Sequence, residues 1–172
     1  PDALPYKTIN GDQSNDLGHR VGRTTAMVQK YCGGTHPAGC KTWDTPEAYD
    51  TELITLAAGL RDRYAADMDA CAPHKALDEV FKVIQRANKY IDESMPWALA
   101  KDMDANGPRL AHVLYNLLEA TRICGILLTP FIPDACAKLF AQIGADETCQ
   151  TWDAAAQWGS RPETAPVTKG AN

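Results

Sequence analysis

The chain has 172 residues, a hydrophobic content of 45% and a formal net charge of -5 at pH 7. That length and content predict one domain with a sizeable core. The acidic balance excludes a protein that coats nucleic acid through a broad basic field, but it is compatible with a small, specific RNA site. Because no apolar run reaches the roughly 18 residues of a membrane span, we expect a soluble protein. The sequence opens with Pro1 and not with an initiator Met, so we expect a piece of a longer protein.

Apolar residues at helical spacing predict a first helix from Ser14 to Tyr31, which Gly33 and Gly34 end. Within it, His19 and Arg23 are four residues apart and therefore project from one side; a solvated helix face is the plainer interpretation of this pair. After a loop, Thr45 and Pro46 predict the start of a second helix. Its core stripe consists of Leu53, Leu56, Ala57, Leu60 and Tyr64.

A third, strongly periodic helix follows Pro73 and is interrupted at Pro96. Proline has no amide hydrogen and disfavours helical geometry at the preceding Met95, yet it suits the first turn of a new helix. Trp97 is therefore expected at a helix start, where an indole can be half packed and half offered to a ligand. The alternative is that Trp97 only anchors the edge of the core.

A fourth helix is predicted from about Arg109, after a polar turn, and it is apolar enough to lie at the centre of the fold. Pro130 interrupts it, and a fifth helix runs to a left-handed cap at Gly144. No run alternates like a strand, so the fold class is all-α, a bundle of about five helices over residues 1–158. Prolines and glycines from Gly159 onward indicate a loose tail over residues 159–172.

Six cysteines are scattered along the chain without a paired CxxC, which favours reduced thiols and a cytoplasmic protein over a disulfide scaffold. The segment CGGTHPAGC brings Cys32, His36 and Cys40 close together in sequence. That spacing matches no common zinc pattern, and we therefore expect no metal in this chain.

Three segments resemble, in order, the anticodon-binding helical domain of bacterial methionyl-tRNA synthetase: NDLGHRVGRTTAMVQKY, KALDEVFKVIQRANKYIDESMPWALAKD and ILLTPFIPDACAKLFAQIG. The resemblance extends from about Asn15 to Trp158. Its most specific part is the run NKYIDE followed two residues later by Pro-Trp. The segment TWDAAAQWG is also similar to the part that leads back to the catalytic body in such enzymes.

The resemblance implies an RNA-binding site made of Trp97, Arg23, His19 and Pro96. In the family, a tryptophan at the position of Trp97 stacks on the first anticodon base, and an arginine at the position of Arg23 contacts that base. An asparagine reads it from the position of His19. Histidine lacks the amide's simultaneous donor and acceptor, so discrimination is expected to depend more on Trp97 and Arg23.

The chain contains no catalytic residues that we can identify: HIGH-like and KMSKS-like ATP motifs are absent, and no nucleophile grouping occurs. The resemblance implies that this part holds the C-A-U anticodon loop of tRNA(Met) while a catalytic domain of the same polypeptide attaches methionine. ATP belongs to that catalytic part, for which zinc remains open. No cofactor and no membrane partner are expected here.

Two other functions remain open on the sequence. The chain could be the anticodon domain of another class I synthetase, such as the cysteine, valine or isoleucine enzyme, which share the bundle architecture. It could also be a helical protein-interaction module with an apolar patch around Trp97. Anticodon preference would separate the first alternative, and failure to bind RNA would favour the second.

Overall fold

A computed structural model describes residues 11–168. Within them the chain is helical, without a strand, and this confirms the all-α bundle. Two short 3-10 turns, Glu147–Cys149 and Ala154–Ala156, follow the last α-helix. The α-helices are α1 (Gly11–Cys32), α2 (Ala48–Ala58), α3 (Leu60–Asp69), α4 (Pro73–Ser94), α5 (Pro96–Leu99), α6 (Met103–Leu128) and α7 (Pro133–Ile143).

Helix α6 is the centre of the bundle, as its apolar sequence predicted. From Leu110 to Leu128 every residue except Thr121 is buried, which is typical of a helix covered on all sides. Helices α1, α2, α4, α5 and α7 all pack on it. No helix of the described part is long and apolar enough to cross a membrane.

Helices α1 and α4 run in the same direction, and α6 runs the opposite way. Leu17, near the start of α1, borders a depression with Phe81 in the first half of α4. Tyr31, at the end of α1, borders a cavity with Met103 at the start of α6. Since α5 joins α4 to α6, the end of α1, the end of α4 and helix α5 all lie at one end of the bundle.

The second predicted helix is two helices, and it starts later than Thr45 and Pro46 suggested. Glu47 caps α2, because its amide donates to Asp50 Oδ2 at 2.8 Å within a capping box. The chain then bends at Gly59 between α2 and α3. Helical periodicity alone continues across such a bend, and it therefore predicted one element.

Helix α6 starts at Met103, six residues before the predicted Arg109. The Asp102 side chain accepts a hydrogen bond from the Ala105 amide at 3.1 Å and caps the helix. Pro108 consequently lies inside the helix. Proline has no amide hydrogen, so the Asp104 carbonyl, one turn earlier, has no helical partner. Asp104 is exposed, and water can therefore bind this carbonyl.

The predicted interruption at Pro96 is confirmed. Met95 adopts left-handed backbone angles, φ 47° and ψ 65°, and its amide still bonds to the Ile91 carbonyl at 2.9 Å. Pro96 then opens α5. The left-handed cap at Gly144 is also confirmed, with φ 70°.

Residues 159–168 are held against the bundle, in contrast to the loose tail expected from residue 159. Arg161 is fully buried, and its guanidinium donates to the carbonyls of Ile143 and, at 2.7 Å, Ala165. The Val167 amide bonds to the Gly34 carbonyl at 2.9 Å. Proline and glycine content indicated looseness, but it carries no information on these carbonyl partners. Residues 169–172 lie outside the described residues.

His36 is a buried histidine without a polar partner. Its side chain is 1% exposed, and neither ring nitrogen has a hydrogen-bond partner in the described part of the chain. The ring packs edge-on against Tyr115, with centroids 6.0 Å apart. Burial, reinforced by the nearby Arg161 charge, lowers the pKa of His36 from 6.5 to about 4.

Replacing Arg161 by Ala is expected to lower the free energy of unfolding by about 2 to 4 kcal/mol, because several buried carbonyls lose a charged donor. Urea unfolding followed by circular dichroism measures this loss. Arg20→Ala is the control, since Arg20 pairs with Asp16 at the surface and such pairs contribute about 0 to 1 kcal/mol. Equal losses in the two variants would contradict the packing role of Arg161.

The free energy of unfolding is expected to fall as the pH falls from about 6.5 to about 4, in part because of His36. In this window the unfolded chain binds a proton at His36 and the folded chain does not, so acid favours unfolding. Replacing His36 by Phe should make the free energy of unfolding less dependent on pH in this range. Urea titrations at several pH values test this, and an unchanged slope would contradict it.

Candidate nucleic-acid interface

Trp97 is presented to solvent by the break between α4 and α5. Pro96 is buried and anchors the start of α5, whereas the Trp97 side chain is 42% exposed. No aromatic ring or cation of the described residues covers the indole. Met95 and Met103, which flank this turn in sequence, are also exposed, at 47% and 38%. A flat apolar ring is therefore available at this end of the bundle.

His19 and Arg23 are exposed residues on the outer side of α1, one turn apart. His19 borders a shallow depression with Lys138 and Leu139 of α7. Arg23 lies one turn after Arg20, which borders α4. The plainer interpretation, a solvated helix face, accounts for the exposure of both residues and for the absence of a protein partner at Arg23.

Arg23 differs from the other arginines of the described chain because it has no hydrogen-bond or ion-pair partner there. Arg20 pairs with Asp16 at 2.7 Å. Arg161 is bound by carbonyls. The remaining five arginines each bind a carboxylate: Arg61, Arg63, Arg86, Arg109 and Arg122. The Arg23 guanidinium is thus free to bind a ligand.

Helices α1 and α5, which carry Arg23 and Trp97, both pack on α6. The side chains predicted for the site do not all contact one another. Thr24 of α1 and Ile91 of α4 line one narrow cleft over α6, so the two helices lie on either side of this cleft and both pack on α6. Arg23 and Trp97 have no contact with each other in the described structure. Arg23 lies eight residues, about 12 Å of helix, before Tyr31, so a ligand touching both side chains has to lie along the α1 and α4 face.

A second indole, Trp43, lies at the same end of the bundle and was missed by the sequence analysis. It stacks on His112, with centroids 6.0 Å apart and planes at 20°. The Arg109 guanidinium lies 5.5 Å from the Trp43 ring. Trp43 and Tyr31 line a cavity of about 510 Å³ between the end of α1 and the start of α6. A lone tryptophan in a polar loop was the only available signal in the sequence.

The cysteines form no metal-binding centre in the described residues, and the most deeply buried thiols are unreactive. All six are free thiols, and no group of three or more His, Cys, Asp or Glu side chains could hold a metal there. Burial raises the pKa of Cys40 to about 12, with a contribution from Glu163, and burial also raises that of Cys124 to about 12. These thiols therefore stay protonated and unreactive at neutral pH.

A comparison with known protein families matches residues 37–168 to the anticodon binding domain of methionyl tRNA ligase. This chain belongs to that family. Curated relatives of this anticodon-binding domain agree. The methionine–tRNA ligase of Caldanaerobacter subterraneus is 44% identical over 84% of the chain. That of Clostridium tetani is 43% identical over 97% of the chain.

The chain spans only part of its relatives' length, 22% of the Caldanaerobacter protein and 25% of the Clostridium tetani protein. Among solved structures, the bundle is similar to the free form of Mycobacterium tuberculosis methionyl-tRNA synthetase, with a TM-score of 0.82 and 26% identity over 99% of this chain and 33% of that one. The same enzyme bound by methionyl-adenylate gives a TM-score of 0.82 and 27% identity, over 96% of this chain and 32% of that one.

Proposed function

We propose that this anticodon-binding domain holds the C-A-U anticodon loop of tRNA(Met), with Trp97 stacking on the first anticodon base. The observation that carries the proposal is the exposed indole that directly follows the left-handed Met95 and the buried Pro96. Sequence-specific RNA recognition usually targets unpaired loop bases, which stack on aromatic rings while their edges are hydrogen-bonded. Trp97 has the exposure that such stacking requires.

Arg23 supplies the hydrogen bonds to the edge of that base. Its guanidinium carries several donors in a planar fork and no acceptor. A cytosine edge presents acceptors at O2 and N3, which fit those donors. Because Arg23 has no partner in the described structure, binding a base breaks no existing ion pair. His19, one turn earlier in α1, adds one hydrogen bond to the same base.

The activity of the complete protein is proposed from the family alone. A parent methionyl-tRNA synthetase would activate methionine with ATP in a catalytic domain of the same polypeptide and work in the cytoplasm. The Mycobacterium tuberculosis relative has been solved with methionyl-adenylate, which is the expected intermediate of such an enzyme. This chain would contribute tRNA selection, and zinc, where present, would belong to the catalytic part.

Replacing Trp97 by Ala is expected to weaken binding of a C-A-U anticodon stem-loop by about 1 to 3 kcal/mol, because one base loses its stacking surface. Fluorescence anisotropy of a labelled stem-loop measures the change. Trp152→Ala is the matched control, because Trp152 is similarly exposed, at 47%, but packs beside Tyr64 in α3. Both variants should keep the helical circular dichroism spectrum of the unmodified chain.

Replacing Arg23 by Ala is expected to weaken binding and also to reduce the preference for cytosine at the first anticodon position. The reason is that a base-edge contact distinguishes sequences, whereas a phosphate contact does not. The measurement compares the affinities of stem-loops that carry each of the four bases at that position. An equal loss for all four would indicate a phosphate contact and contradict the assigned role.

The competing functions give different results in the same binding experiment. Preference for an anticodon other than C-A-U would assign the chain to another synthetase. Absence of stem-loop binding by the folded, unmodified chain would favour a protein-interaction module, because the exposed Met95, Trp97 and Met103 could also contact a protein surface.

A further inference from the structure

We propose that Trp97 is positioned for stacking by two side-chain contacts between α2 and α4. The inner contact joins Asp50 to Tyr90, and the outer contact joins Glu52 to Arg86. The two carboxylates act through the end of α4, which leads into the turn that carries Trp97, and they are therefore positioning residues. This inference rests on the proposed function, because it assigns the residues that hold the proposed stacking surface in place.

The turn before Trp97 needs support from outside because its backbone is strained. Met95 has φ 47° and ψ 65°, left-handed angles that residues other than glycine and asparagine rarely adopt. Such a conformation persists only where the surrounding structure determines it. On one side of the turn Pro96 is buried and α5 packs on α6. The other side is the end of α4, so the contacts that hold this end also fix where the indole lies.

The inner contact is buried and involves a charged acceptor. The Tyr90 hydroxyl donates to Asp50 Oδ1 at 2.5 Å, and neither side chain is exposed to solvent. Burial, reinforced by the Asp50 carboxylate, raises the pKa of Tyr90, so the hydroxyl stays protonated and donates at neutral pH. Hydrogen bonds to an ionised acceptor are about twice as strong as neutral ones. Tyr90 lies one turn before Ser94, the last residue of α4, and the bond therefore acts at the end of the helix.

Asp50 is itself fixed, and it can therefore locate Tyr90. Its Oδ2 accepts from the Glu47 amide and from the Arg109 guanidinium, both at 2.8 Å. Asn116 of α6 donates to the Tyr90 hydroxyl at 3.1 Å. Tyr90 is thus held from both α2 and α6, and the end of α4 cannot shift along either helix without breaking a buried hydrogen bond. Breaking one leaves a buried polar group without a partner, which is unfavourable.

The outer contact connects the second carboxylate of α2 to the last turn of α4. Glu52 binds Arg86 at 2.8 Å, and the same guanidinium binds Glu93 at 2.6 Å. The Arg86 side chain is only 12% exposed, so these pairs are screened less by solvent than pairs on an open surface. Glu93 lies two residues before Met95. The three charges therefore link α2 to the residues next to the turn.

The first test follows the Trp97 indole in the chain without RNA. Nuclear magnetic resonance measures the order parameter of each indole N–H group in the isotope-labelled chain, and Trp97→Ala identifies the Trp97 signal by its loss. Tyr90→Phe removes the inner contact and should lower the order parameter of Trp97. Tyr115→Phe is the matched control and should leave it unchanged. The Tyr115 hydroxyl is also fully buried, but it donates to the Arg161 carbonyl, at 2.7 Å, and not to α2.

The second test measures what the inner contact contributes to RNA binding, using anisotropy of a labelled C-A-U stem-loop. Tyr90→Phe is expected to weaken binding about threefold to tenfold, as for the partial loss of one stacked base, and Tyr115→Phe should bind as the unmodified chain does. A merely structural role would add its loss to that of Trp97→Ala. A positioning role predicts instead that Tyr90→Phe causes no further loss in a chain that already carries Trp97→Ala.

The helical circular dichroism spectrum shows whether each variant is folded. If Tyr90→Phe does not fold, Glu52→Gln takes its place, because Glu52 is exposed and its replacement removes only the outer contact. The same two results are then expected: a lower order parameter at Trp97, and a loss of binding that is absent in the Trp97→Ala chain. An unchanged Trp97 indole in this variant overturns the inference.

The outcomes separate this inference from the proposed function. If Trp97→Ala weakens binding while Tyr90→Phe leaves either the indole or the binding unchanged, the inference is overturned and the anticodon function stands. Additive losses from Tyr90→Phe and Trp97→Ala also overturn the inference. If Trp97→Ala itself binds like the unmodified chain, the proposed function fails, and the inference fails with it. A more mobile indole together with a loss that is not additive supports both.

Discussion

The fold depends on the complete burial of α6, because this helix carries polar groups that have to be satisfied by the segments around it. Arg122 is fully buried and binds Glu119 through two hydrogen bonds of 2.8 and 2.9 Å. Its remaining donors reach the carbonyls of Cys149, Ala154 and Gln157. A buried charge without such partners would cost several kcal/mol, so these bonds fix the C-terminal segment on the bundle.

The first half of α6 holds the end of the bundle that carries Trp97 in the same way. Asn116 donates to the Tyr90 hydroxyl at 3.1 Å, and that hydroxyl donates to Asp50 at 2.5 Å. Asp50 also binds Arg109 at 2.8 Å. Through these contacts the last turns of α4, which lead to Trp97, are tied to α2 and α6. A side chain carried by such elements is positioned more accurately than one on a free loop.

Sequence patterns predicted the elements whose cause is local. The interruption before Trp97 follows from the chemistry of Pro96, and the central place of α6 follows from its apolar composition. Contacts between residues that are distant in sequence determine the features that the sequence patterns did not predict. Arg161 looked like part of a polar tail, because nothing in its neighbourhood shows that distant carbonyls will surround it. Trp43 was missed for the same reason, since its stacking partner, His112, lies 69 residues away.

The candidate site was predictable only where a family motif covers it. The pair Pro96–Trp97 is such a motif, and the exposure of Trp97 in the structure is compatible with the proposed role in binding. The spacing of His19 and Arg23 indicated a shared face, but not which neighbour each would border. That depends on how α1 is rotated against α4 and α7, and the rotation is set by the whole buried stripe rather than by two residues.

An acidic chain can present a directed cation at its surface if its charges are distributed unevenly. Most arginines of the described residues are paired with a carboxylate, either inside the fold, as Arg122 is with Glu119, or at the surface, as Arg20 is with Asp16. They add to the formal charge without adding to the field at the surface. Arg23 lacks such a partner, so its charge acts outward from the exposed side of α1. In the proposed function, stacking and a directed donor favour a particular loop base, while the net negative charge of -5 weakens attraction to nucleic acid in general. The proposed site would therefore select one loop base but bind the anticodon loop weakly. Weak binding suits a domain whose parent enzyme would bind the rest of the tRNA elsewhere.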